Sequence, residues 1–521
     1  MKIINGRWRP WRAGLVPAAA IAAATILSAG QAQAVFDSGS VCPSGPTCLG
    51  AFSPTVDTVI QLPPDGILDY TTFTVPQQVT VTFTKNAANT PVVIRTSGDV
   101  AIRGYLDVLG DAAKDCGTYG DGKLGDDGQP GKGGPGGFDG GFGGMSANFG
   151  GSYGAHGSPG HGPGGGQGGY QYPSNQWPLY GRTGGGSGGG SQEAGSCAFA
   201  GWGCTWADAI PGGVSYGQAS LLPLVGGSGG GGGTAGSSFN GCGGGGGGGA
   251  VLIASSTSIT VQGHINADGG RGGYDYGQGA GGAGGGGAAG SIRLVSESVW
   301  RDGNYWWDTR GWWMDSRLYA RRGGGGYNDQ DGWNNGGYGG YGWIRIEANN
   351  TNWSGYTDPG YSFGLPGPLS VPNTPSLVIS KVAGVAVPAN PTGSADVTLP
   401  QGTAMPVTVE VAGVNIPRGT TVTVRTVPSG ANATSTLTTA LDGLSDAATT
   451  ATASVTLGDG NNVLIASATY TVTQLIAMNL PTFNGERVAK VRVETEMGKK
   501  GTKVTYITAS GKEYPAKTGV N

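Results

Sequence analysis

Charge is scarce in this chain. Only 12% of the 521 residues are Asp, Glu, Lys or Arg, about half of what globular proteins carry. The formal net charge of −3 gives no basic footprint, so a nucleic-acid partner is not expected. Histidine is scarcer still: His156, His161 and His264 are all there is. No C-x-x-C occurs, which leaves zinc without a ligand set, and no cofactor is expected. Beyond the first 34 residues no run approaches the roughly 18 apolar residues that a membrane span needs. No G-x-x-x-x-G-K-[ST] phosphate loop is present. The G-x-G-x-x-G matches are by-products of composition and imply no nucleotide.

What the chain has in excess is glycine, 108 residues of it. Helices tolerate this residue poorly, because it loses the most backbone entropy on ordering, so a helical fold is excluded. Simple disorder is excluded too, since 37% of residues are apolar and 13 Trp and 20 Tyr are present. The expected class is all-β.

The first residues read as an export signal. Lys2, Arg7, Arg9 and Arg12 precede an Ala-rich apolar stretch from Ala13 to Gly30, followed by the A-x-A site Ala32-Gln33-Ala34. Residues 1–34 are therefore expected to be a signal peptide cleaved after Ala34. The mature chain is expected to be extracellular or at the cell surface, with the periplasm as the alternative. Six cysteines agree with an oxidising compartment: Cys42, Cys48, Cys116, Cys197, Cys204 and Cys242 are all disulfide candidates. Cys42/Cys48 and Cys197/Cys204 are closest in sequence, but six cysteines permit 15 connectivities.

Composition divides the rest. Residues 35–354 are expected to form a parallel β-helix or solenoid-like domain, interrupted by glycine-rich excursions between about 101 and 350. An internal repeat points to this architecture. Val92–Gly110 (VVIRTSGDVAIRGYLDVLG) aligns without a gap on Val251–Gly269 (VLIASSTSITVQGHINADG), with apolar and glycine positions coinciding. Shorter echoes occur at Ile292-Arg-Leu294 and Ile344-Arg-Ile346, each after a glycine run. Stacked coils repeat in this way because no coil buries its apolar face alone. The excursions have a period of their own: glycine falls on every third residue from Gly122 for eight triplets and from Gly151 for four. Three residues per turn is the period of polyproline II, so the excursions are expected to be loops of that type. Prolines at 359, 366, 368, 372 and 375 mark residues 355–375 as a linker. Short β-branched runs over 376–485 suggest an immunoglobulin-like β-sandwich without its Cys and Trp markers. Residues 486–521, with eight Lys or Arg against four Glu, are expected to be a basic hairpin and tail.

Eight of the 13 tryptophans lie between Trp300 and Trp353. At their centre, RDGNYWWDTRGWWMDSR pairs aromatic rings with short polar groups. Tyr305, Trp306, Trp307, Trp312 and Trp313 are the candidate glycan- or partner-binding residues, because pyranose faces stack on rings while hydroxyls take hydrogen bonds. The competing use of these rings is to fill the end of the solenoid. No catalytic constellation stands out. Asp121, Asp126 and Asp127, or Asp308 and Asp315, are the carboxylates a polysaccharide-cleaving β-helix would draw on.

On ITVQGHINADGGRGG (259–273) and GGGGAAGSIRLVS (284–296) the chain resembles exported, glycine-rich, adhesin-like bacterial surface proteins carrying an immunoglobulin-like module. Its triplet blocks resemble the glycine-rich polyproline-II bundles of some antifreeze proteins and phage tail-tip adhesins. The resemblance implies an exported, non-enzymatic surface or matrix protein acting in adhesion or assembly, with a glycan, a surface component or itself as partner. A polysaccharide-active enzyme and a self-assembling fibre subunit are the alternatives.

Overall fold

The computed structural model describes residues 36–116, 128–145, 156–169, 192–198, 210–235, 240–275, 281–303, 306–307, 313–327, 335–369, 375–388, 396–429, 432–472, 480, 482–483, 486–497 and 502–516. The expected signal peptide, residues 1–34, lies outside them. Every element among the described residues is a strand. Among the described residues the protein is all-β, and no helix there is long and apolar enough to cross a membrane.

The first body is built from β1 (Ala51–Phe52), β2 (Thr58–Gln61), β3 (Ile67–Tyr70), β4 (Thr72–Val75), β5 (Thr80–Thr84), β6 (Val92–Thr96), β7 (Val100–Ile102), β8 (Tyr105–Asp107), β9 (Ala250–Val261), β10 (His264–Asn266), β11 (Ser291–Arg301), β12 (Trp306–Trp307), β13 (Trp313–Met314), β14 (Arg317–Tyr319), β15 (Trp343–Thr351), β16 (Tyr356–Asp358) and β17 (Tyr361–Gly364). Apart from the β12–β13 pair, these strands form two parallel sheets. One runs β1-β4-β7-β9-β11-β15-β17, with β3 and β6 continuing it beside β9; the other runs β2-β5-β8-β10-β14-β16. Each pass of the chain adds a strand to one sheet, turns a corner and adds a strand to the other.

The repeat seen in the sequence is the register of this pairing. Val92 lies beside Val251, Val100 beside Ile259 and Leu106 beside Ile265. The echoes stack on the same rows, Val251 beside Ile292 and Ile292 beside Ile344. Ile94, Ile253, Leu294 and Ile346 from the first sheet share one buried core with Leu106, Ile265 and Leu318 from the second. Period-two alternation sends these side chains inward.

After β8, β10 and β14 the chain leaves the second sheet through glycine-rich segments and returns to the first sheet through more of the same. These segments exchange backbone hydrogen bonds at intervals of three residues. Gly227, Gly230 and Gly233 donate to Gly248, Gly245 and Cys242, while Cys242, Gly245 and Gly248 donate to Gly282, Gly285 and Ala288. In the run 243–249, consecutive residues face different neighbours. A Cβ on Gly243 or Gly246 would meet the carbonyl of Gln129 or Lys132, on Gly244 or Gly247 that of Gly230 or Gly227, and on Gly245 or Gly248 that of Gly270 or Ala267, all at 1.9–2.2 Å. A chain surrounded on three sides at backbone distance has no position open to a side chain. The triplet block lies at the margin. Gly131, Gly134, Gly137, Gly140 and Gly143 press on backbone, whereas Phe142 and Met145 project outward.

Disulfides staple both regions. Cys42–Cys48 closes a short loop, and Cys116–Cys242 joins the two ends of the largest excursion across 126 residues. Cys197 is also disulfide-bonded, and Cys204 lies outside the described residues.

Two expected boundaries differ. Residues 356–364, expected to be linker, form β16 and β17 and complete the parallel sheets. The flanking prolines mark the ends of these edge strands rather than a departure from the fold. Beyond them the chain is held down. Arg293 and Glu347 form a buried ion pair at 3.0 Å; Arg293 also donates to the Pro368 carbonyl at 2.7 Å, and the Gly367 N–H donates to Glu347 at 2.9 Å.

The second body comprises β18 (Ser376–Val382), β19 (Val385–Ala386), β20 (Val407–Val414), β21 (Thr421–Pro428), β22 (Thr434–Ala440), β23 (Asp442–Ser445), β24 (Ala448–Val455), β25 (Asn462–Thr471), β26 (Thr482–Phe483), β27 (Glu486–Glu496), β28 (Lys503–Thr508) and β29 (Glu513–Ala516). They form two antiparallel sheets, β19-β18-β20-β24-β23 and β22-β21-β25-β27-β28-β29, with β26 on β27. The residues expected as a separate basic tail belong to this body, since β27 pairs with β25 over Ile465–Thr471. Alternation explains it: Val488, Val491, Val493, Val504 and Tyr506 reach the common core while the Lys and Arg between them face out.

Candidate tryptophan hairpin and aromatic sheet face

Corners between the two sheets are tight where glycine allows it. β7 passes to β8 through Arg103-Gly104, and β9 to β10 through Gln262-Gly263. A Cβ on Gly104 would lie 2.2 Å from the Val79 carbonyl, and one on Gly263 2.0 Å from the Gly104 carbonyl. Between β11 and β14 the corner is instead expanded to residues 302–316. Ser316 occupies its last position and donates its hydroxyl to the Val261 carbonyl at 2.6 Å.

That expansion carries the tryptophans. β12 and β13 pair antiparallel, Trp306 opposite Met314 and Trp307 opposite Trp313. The structure thus brings three of the five candidate residues onto one two-stranded ribbon. The Trp307 side chain is 56% exposed. Tyr305 and Trp312 lie outside the described residues, as do Asp121, Asp126, Asp127 and Asp308. Asp315, the remaining candidate carboxylate, is engaged by Arg317.

The outer face of the second sheet holds residues that the sequence did not single out. Tyr105, His264, Arg317 and Tyr356 occupy one row across β8, β10, β14 and β16. The next outward row contains Asp107, Asn266, Tyr319 and Asp358. Tyr105 meets the His264 ring edge-on at 5.2 Å, and His264 meets Tyr319 at 5.6 Å. Arg317 donates to the Tyr319 hydroxyl at 2.7 Å and lies over the Tyr356 ring at 5.8 Å. The Asn266 amide donates to Asp107 at 2.5 Å. Further along, Arg321 pairs with Asp268 at 2.7 Å and covers the Tyr319 ring at 4.0 Å.

The cations on this face are fixed. Hydrogen bonding to Asp315 drives the Arg317 pKa above its ordinary value against partial burial. Burial works against the charge of Arg321, but the Asp268 hydrogen bond and charge outweigh it and raise its pKa. Chemically, the face offers ring edges, oriented guanidinium donors and amide and carboxylate acceptors. That set suits a ligand with many hydroxyls. Among the described residues no three His, Cys, Asp or Glu side chains are grouped to hold a metal ion.

No family model, no curated protein and no solved structure matches this chain.

Proposed function

We propose that the protein is an exported surface or matrix protein whose parallel sheets form a β-solenoid, with polyproline-II glycine legs as a bundle alongside and an immunoglobulin-like sandwich after it. Its binding site is the tryptophan ribbon with the aromatic and arginine-lined sheet face beneath it, and its ligand is a glycan of a cell surface or matrix. One observation carries this reading: the long corner in the described β7–β14 series forms a two-stranded ribbon carrying Trp306, Trp307 and Trp313 and runs within three residues into β14, whose Arg317 belongs to the row of tyrosine, histidine and arginine. Two disulfides support an oxidising compartment. The protein acts by binding, without turnover.

A glycan array tests the reading. The wild type is expected to bind at least one glycan class, and a Trp306/Trp307/Trp312/Trp313→Ala variant to lose it. Equal binding by both removes the site. Release of reducing sugars or unsaturated ends from a bound polysaccharide replaces binding with catalysis.

A further inference from the structure

The pairing of the second sheet continues past the ends of its strands. Between β8 and β10 the Val108 N–H donates to the Asn266 carbonyl, and between β10 and β14 the Ala267 N–H donates to the Tyr319 carbonyl. The same offsets persist in the glycine-rich chain that follows. Gly110, Ala113 and Cys116 donate their N–H groups to the carbonyls of Asp268, Arg271 and Tyr274 at 2.8–2.9 Å. Gly269, Gly272 and Asp275 donate theirs to Arg321, Gly324 and Tyr327 at 2.9–3.0 Å. Three layers thus leave the sheet in register, and bonding passes from every second residue to every third.

That register prolongs the outer face. Beyond the two rows described above lie Leu109–Asp268–Arg321, then Ala112–Arg271–Gly324, then Asp115–Tyr274–Tyr327. Side chains meet across the new rows as they do on the sheet. Arg321 pairs with Asp268 and Arg271 with Asp115, each at 2.7 Å, and Arg271 lies over the Tyr274 ring at 4.0 Å. Tyr356 in the first row is 55% exposed and Tyr327 in the last is 50% exposed. Between them a Cβ on Gly324 would meet nothing within 4 Å, so the floor is open there. The five rows span about 32 Å, taking about 3.3 Å per strand residue and about 3.1 Å per residue of a three-residue turn.

Charge and length narrow the ligand. Each guanidinium in these rows already has a carboxylate: Arg317 has Asp315, Arg321 has Asp268 and Arg271 has Asp115. An anionic polymer would have to compete with those carboxylates. An uncharged chain meets ring faces at the two ends and oriented donors and acceptors between them. To stay in contact over the whole band it must be extended, as a β-1,4-linked ribbon is and a coiled α-linked glucan is not. We propose that this five-row band is one continuous binding track for an uncharged, β-1,4-linked polysaccharide lying along the strand direction. The proposal rests on the glycan reading above and extends its site from the sheet face to Tyr274 and Tyr327. An extended hexasaccharide matches the length of the track.

Isothermal titration calorimetry with cellohexaose, mannohexaose and N-acetylated chitohexaose, each beside its own disaccharide, tests this. Hexagalacturonate is the charged comparison. At least one neutral hexamer is expected to bind about tenfold tighter than its disaccharide, and tighter than hexagalacturonate. Tyr327→Ala and Gly324→Leu, both at open positions, are expected to keep the wild-type circular dichroism. Each is expected to weaken that hexamer about tenfold and leave the disaccharide unchanged. Equal affinity for hexamer and disaccharide overturns the track, as does hexamer binding unmoved in either variant or absent for all three neutral hexamers. Tighter binding of hexagalacturonate overturns the uncharged class. The glycan reading fails separately: it stands if the array still shows a glycan that the tryptophan variant loses and Tyr327→Ala retains.

Discussion

Glu347 shows how a single buried charge is held in an apolar scaffold. It is 2% exposed and its partner Arg293 is 1% exposed. Arg345 also reaches it, and the Gly367 N–H and Pro368 carbonyl complete the cluster. A pair this deep gains little over apolar packing, but removal of one partner strands the other. Glu347→Ala is therefore expected to destabilise by about 3–5 kcal/mol, read as a lowered Tm. Glycine gives a second test at this scale. A Cβ on Gly245 would lie 2.1 Å from the Gly270 carbonyl, whereas one on Gly324 meets nothing within 4 Å. Gly245→Ala is expected to cost about 1–3 kcal/mol or more, because rigid backbone cannot yield. Gly324→Ala is expected to leave stability within about 0.5 kcal/mol. Two chemically identical substitutions thus separate packing glycines from incidental ones.

At the scale of elements, legibility followed the length of the pattern. Strands β9 and β11 are long, open on runs buried on both faces and pair with their own repeats, so the stacking register could be read from aligned residues. The phase of three was legible because the backbone hydrogen bonds between glycine segments recur at every third residue. The aromatic sheet face was not legible. Its members come from three-residue strands, with Asp107 and Asn266 159 residues apart. A strand that short has no periodicity of its own, and only the register assembles the row. β16 and β17 were hidden by the prolines around them, and β27–β29 by the lysines on their outer side. The Cys116–Cys242 bridge belongs to this scale as well, since it joins the two legs of one excursion. A closed loop of 126 residues limits the unfolded chain strongly. Cys116→Ser/Cys242→Ser is expected to lower stability by about 2–5 kcal/mol in a denaturant titration. Reductant is expected to affect the wild type and not the variant at this site.

Across the whole molecule two cores meet at a tyrosine. Tyr216 lies in the glycine-rich segment, yet its ring packs in the core of the antiparallel body. Its hydroxyl donates to the Gly226 carbonyl at 2.5 Å and receives the Ser228 hydroxyl at 3.1 Å. Ser228 in turn accepts the Gly164 N–H at 3.0 Å. One side chain therefore holds the glycine-rich segment through its polar end and the antiparallel body through its ring. Each core also holds a buried tyrosine of its own, Tyr70 in the parallel body and Tyr506 in the antiparallel one, and burial pushes both up to about 12. A raised folded-state pKa means that stability is intact below the unfolded tyrosine value near 10. It is lost as pH climbs from there toward 12, because only the unfolded chain releases the proton. Alkaline titration followed by tyrosinate absorbance and circular dichroism is expected to show cooperative unfolding in that window. In wild type the two bodies are expected to unfold together, joined through Tyr216. Tyr216→Ala is expected to split the transition in two and to cost about 3–5 kcal/mol in the antiparallel body. Tyr216→Phe, which keeps the ring and removes the hydroxyl bonds, is expected to preserve the antiparallel body while loosening the glycine segment, seen as faster amide exchange around Gly226. A single unchanged transition in Tyr216→Ala is the result that assigns the coupling elsewhere.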